Sequence, residues 1–151
     1  YIPTHTYISV PMTLKKLNLN WKWNDVGWEH YYHLENTNII DAAVYWKRDG
    51  FKKGYFNCLS FQFKKHLSLG RGGMILTDDR EAATQLKKMS YDGRIPNIPW
   101  AEQNIDTIGL HYYMTPEDAA RGIILMDLLP EINDDIADYL HYPKISTWIN
   151  Y

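Results

Sequence analysis

Apolar residues fall into short runs broken by Pro, Gly, Asn and Asp. Tyr7-Ile8-Ser9-Val10 is one such run, stopped by Pro11, and predicts a strand end. Met12 to Leu19 sets Leu14, Leu17 and Leu19 among lysines and predicts a short helix. Trp21 to Glu35 is rich in Trp, Tyr and His without a clean period, which suggests irregular or weakly β structure. Asn38 to Val44 predicts a buried strand that ends in Asp41 and two small residues, and Tyr55 to Phe61 predicts the next. Gly70-Arg71-Gly72-Gly73 forms a tight loop before a third strand, Met74-Ile75-Leu76-Thr77.

The rest of the chain reads as helical. After a turn at Asp78-Asp79, Ala82, Ala83, Leu86 and Met89 share one helix face. A loop from Asp92 to Thr107 holds Gly93, Pro96 and Pro99. Thr115-Pro116-Glu117-Asp118 then offers a hydroxyl N-cap, Pro at the first helical position and acids in the first turn. Ala119, Ala120, Ile123, Ile124 and Leu128 follow as an apolar stripe. Pro130 ends that helix and begins another, with Ile132, Ile136, Ala137 and Leu140 inward, before an extended tail from Tyr142. Buried strands alternating with helices predict an α/β fold, in which ligands sit at the carboxyl ends of strands. Asp41 and Ser60 lie at such ends.

Composition narrows the function classes. At 151 residues and 45% hydrophobic, the chain suits one ordinary domain with a sizeable core. A formal charge of -2 with no long basic run argues against nucleic acid as a partner. No apolar run spans a bilayer and the start does not resemble a signal peptide, so no membrane role is expected. Cys58 is the single cysteine, which forbids an internal disulfide and fits a cytoplasmic location. Within its strand it reads as a packed thiol. His30 and His33 have metal-like spacing but no acid or Cys cluster beside them, so no metal is expected. The six Trp and twelve Tyr are read as core or interface residues. The chain has no initiating Met and begins in mid-pattern, which reads as a fragment.

Three segments carry chemistry together: Ile40-Asp41-Ala42-Ala43, Ser60-Phe61-Gln62-Phe63-Lys64-Lys65-His66 and Gly70-Arg71-Gly72-Gly73-Met74-Ile75-Leu76-Thr77. In this order and spacing they resemble the DegT/DnrJ/StrS family of sugar-nucleotide aminotransferases, which use pyridoxal 5'-phosphate (PLP). Gly109-Leu110-His111-Tyr112-Tyr113-Met114, leading to Ala119-Ala120, matches a further family block. The resemblance runs from about Ile39 to Leu129. It implies part of the fold-type-I PLP-transferase large domain over residues 1–129, a mostly parallel sheet flanked by helices. Residues 130–151 would be a helix and tail leading to the small domain.

The resemblance also implies roles. Lys65 would hold PLP as a Schiff base and shuttle the substrate proton, and Asp41 would keep the pyridine nitrogen protonated. Counting forward from Ser60 and back from Gly72-Gly73 both select Lys65 over Lys64. Ser60 would donate to the cofactor phosphate, with Gln62 near it, and the small Ala43 would let the ring pack flat. His111 stands where the family has Asn and would reach the cofactor phosphate of a partner subunit, in a homodimer with shared sites. Val44, Tyr113 and Arg71 depart from the family's usual Gln or His, Arg, and acid. The implied reaction moves an amino group from an amino donor, glutamate, onto a keto-sugar nucleotide. The alternatives are a family member without activity of its own and a PLP-dependent sugar dehydratase; keeping Lys65 disfavours the dehydratase, where His replaces the Lys.

Overall fold

A computed structural model describes residues 1–131, 133 and 138–149. Two sheets organise them. β1 (Ile2–Pro3) pairs in parallel with β2 (Trp23–Asn24), and the crossover between them carries α1 (Ser9–Lys16). The larger sheet has the order β3-β4-β5-β6, formed by Tyr32–Leu34, Ile39–Asp41, Phe56–Ser60 and Gly73–Leu76. Its β4–β5 pair is parallel, whereas β3–β4 and β5–β6 are antiparallel. This stretch is therefore mixed where a mostly parallel sheet was expected. For β3–β4 the cause is connection length, since antiparallel neighbours accept a tight turn. β3 and β4 are joined through Glu35-Asn36-Thr37-Asn38, with Asn36 in the left-handed region at φ 63°.

The glycine loop before β6 has a steric reason. Gly72 adopts φ +91°, and a Cβ on Gly73 would collide with the Leu59 carbonyl oxygen of the neighbouring strand. Only glycines let β6 lie this close to β5. The three strands expected around 38–44, 56–61 and 73–77 thus stand side by side in one sheet.

Pro11 does not end a strand. Ser9 and Val10 open α1 and Pro11 sits in its first turn, where the missing N–H has no helical partner to lose. α2 (Arg80–Ser90) starts as expected, its Asp79 N-cap accepting from the Ala82 N–H at 2.9 Å. α3 (Pro116–Leu128) starts with Thr115 Oγ1 accepting from the Asp118 N–H at 3.2 Å. The apolar stripe of α3 is not the face that meets the core, however. Gly122 is its buried residue, against Leu69, and Leu125 packs on the cluster of Phe61, Leu67 and Leu69. Ile123, Ile124 and Leu128 are 62%, 63% and 75% exposed. The small Gly122 lets α3 approach Leu69 closely, and that contact turns the bulkier residues outward. Of the helix expected after Pro130, Ile132, Ile136 and Ala137 lie outside the described residues. Leu140 is exposed, within a short 3-10 turn at Tyr139–His141.

The tail returns to the start of the chain. Ile145 is fully buried, donates its N–H to the Thr4 carbonyl at 3.0 Å, and opens a 3-10 turn where extended chain was expected. A second core cluster joins Trp28, Tyr32 and Val44, with Tyr139 and Tyr142 packed against it.

Candidate active site

The site grows from strand register. Tyr32 on β3 pairs with Asp41 on β4, and Asp41 pairs with Cys58 on β5. Directly paired residues project to the same side of a sheet, so phenol, carboxylate and thiol stand in a row. Ser60 follows Cys58 by two and shares that face. Ile40, between the two lining residues of β4, points to the opposite face and is fully buried.

A cavity of about 360 Å³ opens over this row. Asp41, Ala43, Ser60, Gln62 and Lys65 all line it. Lys64 does not; it is exposed, with its ammonium 5.6 Å from the Phe63 ring centre. α1 closes one side with Val10, Thr13 and Leu14, and Tyr142 comes from the tail. A site of this size, mostly apolar with a few convergent polar groups, suits a cofactor-sized ligand.

Both oxygens of Asp41 are engaged. Oδ1 accepts the Ala43 N–H at 3.0 Å, and Oδ2 accepts the Tyr32 hydroxyl at 2.7 Å. Lys65 is held where burial lowers its amine below the ordinary lysine range, while the Asp41 charge pulls it partly back. A lowered pKa leaves more neutral amine, the nucleophilic form. Burial, aided by Asp41, pushes the Cys58 thiol up to about 11, so it stays protonated. It lines the cavity rather than a closed core. Ser60 Oγ accepts the Gln62 N–H at 3.3 Å, and the Gln62 side-chain oxygen accepts the Lys64 N–H at 2.9 Å; these bonds shape the loop that presents Lys65.

His111 stands apart from the cavity. Its ring is exposed, packs on Tyr113 with centroids 4.4 Å apart, and donates from Nδ1 to Asp92 Oδ2 at 2.9 Å. That hydrogen bond is the first cause holding the Asp92 carboxyl below its usual range. It commits Nδ1 and leaves Nε2 for an outside ligand.

Sequence reasoning missed Thr6, Trp28, Tyr32, Cys58 and Tyr142 as lining residues. A signal existed for Tyr32. Tyr32 and Leu34 alternate on one side of the Asn36 turn, and Ile39 and Asp41 mirror them on the other, as in a hairpin. No local pattern announces Tyr142, which arrives from the far end of the chain.

A sheet that sets a depressed lysine and a doubly hydrogen-bonded carboxylate around one cavity defines an α/β domain equipped for carbonyl–amine chemistry. The model of the DegT/DnrJ/EryC1/StrS aminotransferase family matches residues 42–142, and the chain belongs to that family. Membership brings PLP as the cofactor. A crystal structure from Bacillus cereus ATCC 10987, of a protein assigned as a PLP-dependent aminotransferase, shares the fold at a TM-score of 0.66 and 19% identity. The alignment covers 83% of this chain and 45% of that one, so the chain spans less than half the length of this solved relative.

The donor set fits the cofactor. An amine, a carboxylate that can accept from a ring N–H, apolar walls from Val10, Leu14 and Val44, and the hydroxyls of Thr13 and Ser60 meet in one cavity. No described helix is long and apolar enough to cross a membrane.

Proposed function

We propose that this chain is the lysine-bearing part of a PLP-dependent aminotransferase that moves an amino group, from glutamate, onto a keto-sugar nucleotide. One observation carries the reading: Lys65, its amine depressed by burial, and Asp41 face the same cavity. When bound, PLP supplies an electron sink for the carbon that gains or loses the amino group. Lys65 holds the cofactor covalently and, once released, moves a proton at the substrate carbon. Asp41 accepts from the pyridine nitrogen, Ser60 donates to the phosphate beside Gln62, and Ala43 leaves room for the flat ring.

The working unit is a homodimer with shared sites, in which His111 reaches the phosphate of the partner subunit's cofactor. The outward position of His111 supports this reading.

The test is chemical. Incubation with PLP followed by borohydride reduction and peptide mapping is expected to leave the pyridoxyl group on Lys65 and none on Lys64. Lys65→Ala loses the label and Lys64→Ala keeps it. Labelling at Lys64 overturns the assignment. No label at all leaves a family member without activity of its own.

A further inference from the structure

Behind Asp41 stands a buried hydroxyl chain. Thr6 Oγ1 lies 2.6 Å from the Tyr32 hydroxyl, which lies 2.7 Å from Asp41 Oδ2. The direction of these bonds follows from chemistry. An ionised carboxylate only accepts, so the Tyr32 proton points to Asp41. Tyr32 has no second proton, so Thr6 donates to Tyr32. Thr6 and Tyr32 are 2% and 6% exposed, which keeps water from replacing either partner. The strong upward push of burial on the Tyr32 phenol keeps its proton in place. On the other oxygen, the Ala43 N–H can only donate. The two donors together fix the carboxylate plane from both ends.

We propose that Tyr32, oriented by Thr6, is a positioning residue that presents Asp41 to the cavity as a hydrogen-bond acceptor in one fixed orientation. The proposal rests on the PLP reading for its consequence: Asp41 accepts from the ring nitrogen with the lone pairs that Tyr32 and Ala43 leave unused. It needs no contact between Tyr32 and the cofactor. The other titratable groups around Asp41 are Cys58 beside it on β5, Lys65 after β5, and Tyr142 from the tail, itself influenced by Tyr7.

Tyr32→Phe removes the hydroxyl and keeps the ring that packs on Trp28 and Val44. In the whole chain loaded with PLP, Tyr32→Phe is expected to weaken cofactor binding about tenfold, the scale of one hydrogen bond to a charged group. It should also change the pH dependence of the bound cofactor's visible absorption, which lost packing alone would not do. Thr6→Val should weaken binding by a smaller factor in the parent and have no further effect in the Tyr32→Phe background, whereas Thr6→Ser should behave as the parent. Equal PLP binding and absorption in Tyr32→Phe and parent overturn the proposal, as does an equal Thr6→Val effect in both backgrounds. A second readout needs no cofactor. At neutral pH the carbon resonance of the Asp41 carboxylate should move in Tyr32→Phe, and in Thr6→Val only while Tyr32 is present. If the parent takes up no PLP, the aminotransferase reading fails and this resonance still decides the chain; an unmoved resonance then sinks it.

Discussion

The sheet around Asp41 and the outer helices use apolar residues in opposite ways. In the sheet region, Ile40, Phe61, Leu67 and Leu69 are buried, and polar groups such as Thr6, Tyr32 and Asn57 are hydrogen-bonded. In α3, residues of the same chemistry face outward, and α2 contains no fully buried residue. Both regions carry correct local helix and strand signals. The difference teaches that an apolar stripe states a capacity for burial, and that the neighbour within reach decides whether it is used.

The largest expected effect tests that contrast directly. Phe61→Ala should cost about 3–5 kcal/mol in chemical denaturation, because it leaves a cavity among Leu67, Leu69 and Trp46, which pack with it. Ile124→Ala should stay within about 0.5 kcal/mol, as for an exposed position. A comparable loss for Ile124→Ala would mean that the outer face of α3 is covered in solution, and the two regions would then be alike.

A middle-sized effect asks whether the outer region serves the site. In the assembled dimer, His111→Ala should weaken PLP retention several-fold, the scale of one lost hydrogen bond. Dialysis followed by cofactor absorbance measures it. Retention equal to the parent would confine the site to the sheet region.

The smallest effect is a pair of opposed pH slopes within the site. Lys65 has a lowered folded pKa, so the unfolded state binds more protons between that value and about 10.4, and stability rises with pH across that window. Cys58 has a folded pKa raised to about 11, so above about 8.5 the unfolded state loses its proton first and stability falls until about 11. Lys65→Met should therefore remove a rise in melting temperature, and Cys58→Ala a fall at alkaline pH. Parallel melting curves for parent and both variants would show that neither group is desolvated. Ile124→Ala should leave both slopes as they are.

Legibility followed locality. The N-caps Asp79 and Thr115 and three of the four strands of the larger sheet could be read from adjacent residues. Pro11 misled because Pro closes a strand and opens a helix equally well, and only the crossover from β1 to β2 selects the helix. The stripe of α3 did not tell its contact face, because Gly122, the smallest residue on the helix, decides it.

What the residues alone supplied is the order Asp41, Ser60, Lys65, Gly72-Gly73 and, through the family resemblance, the expectation that Lys65 rather than Lys64 holds the cofactor. That order is a matter of spacing along the chain, and within β4 and β5 each residue's facing follows from a period of two. Tertiary structure alone decided that Thr6 and Tyr142 gather around Asp41 and that Lys65 loses water. Such facts need chain segments far apart in sequence to meet, and desolvation depends on everything that meets there, which no short pattern of residues encodes.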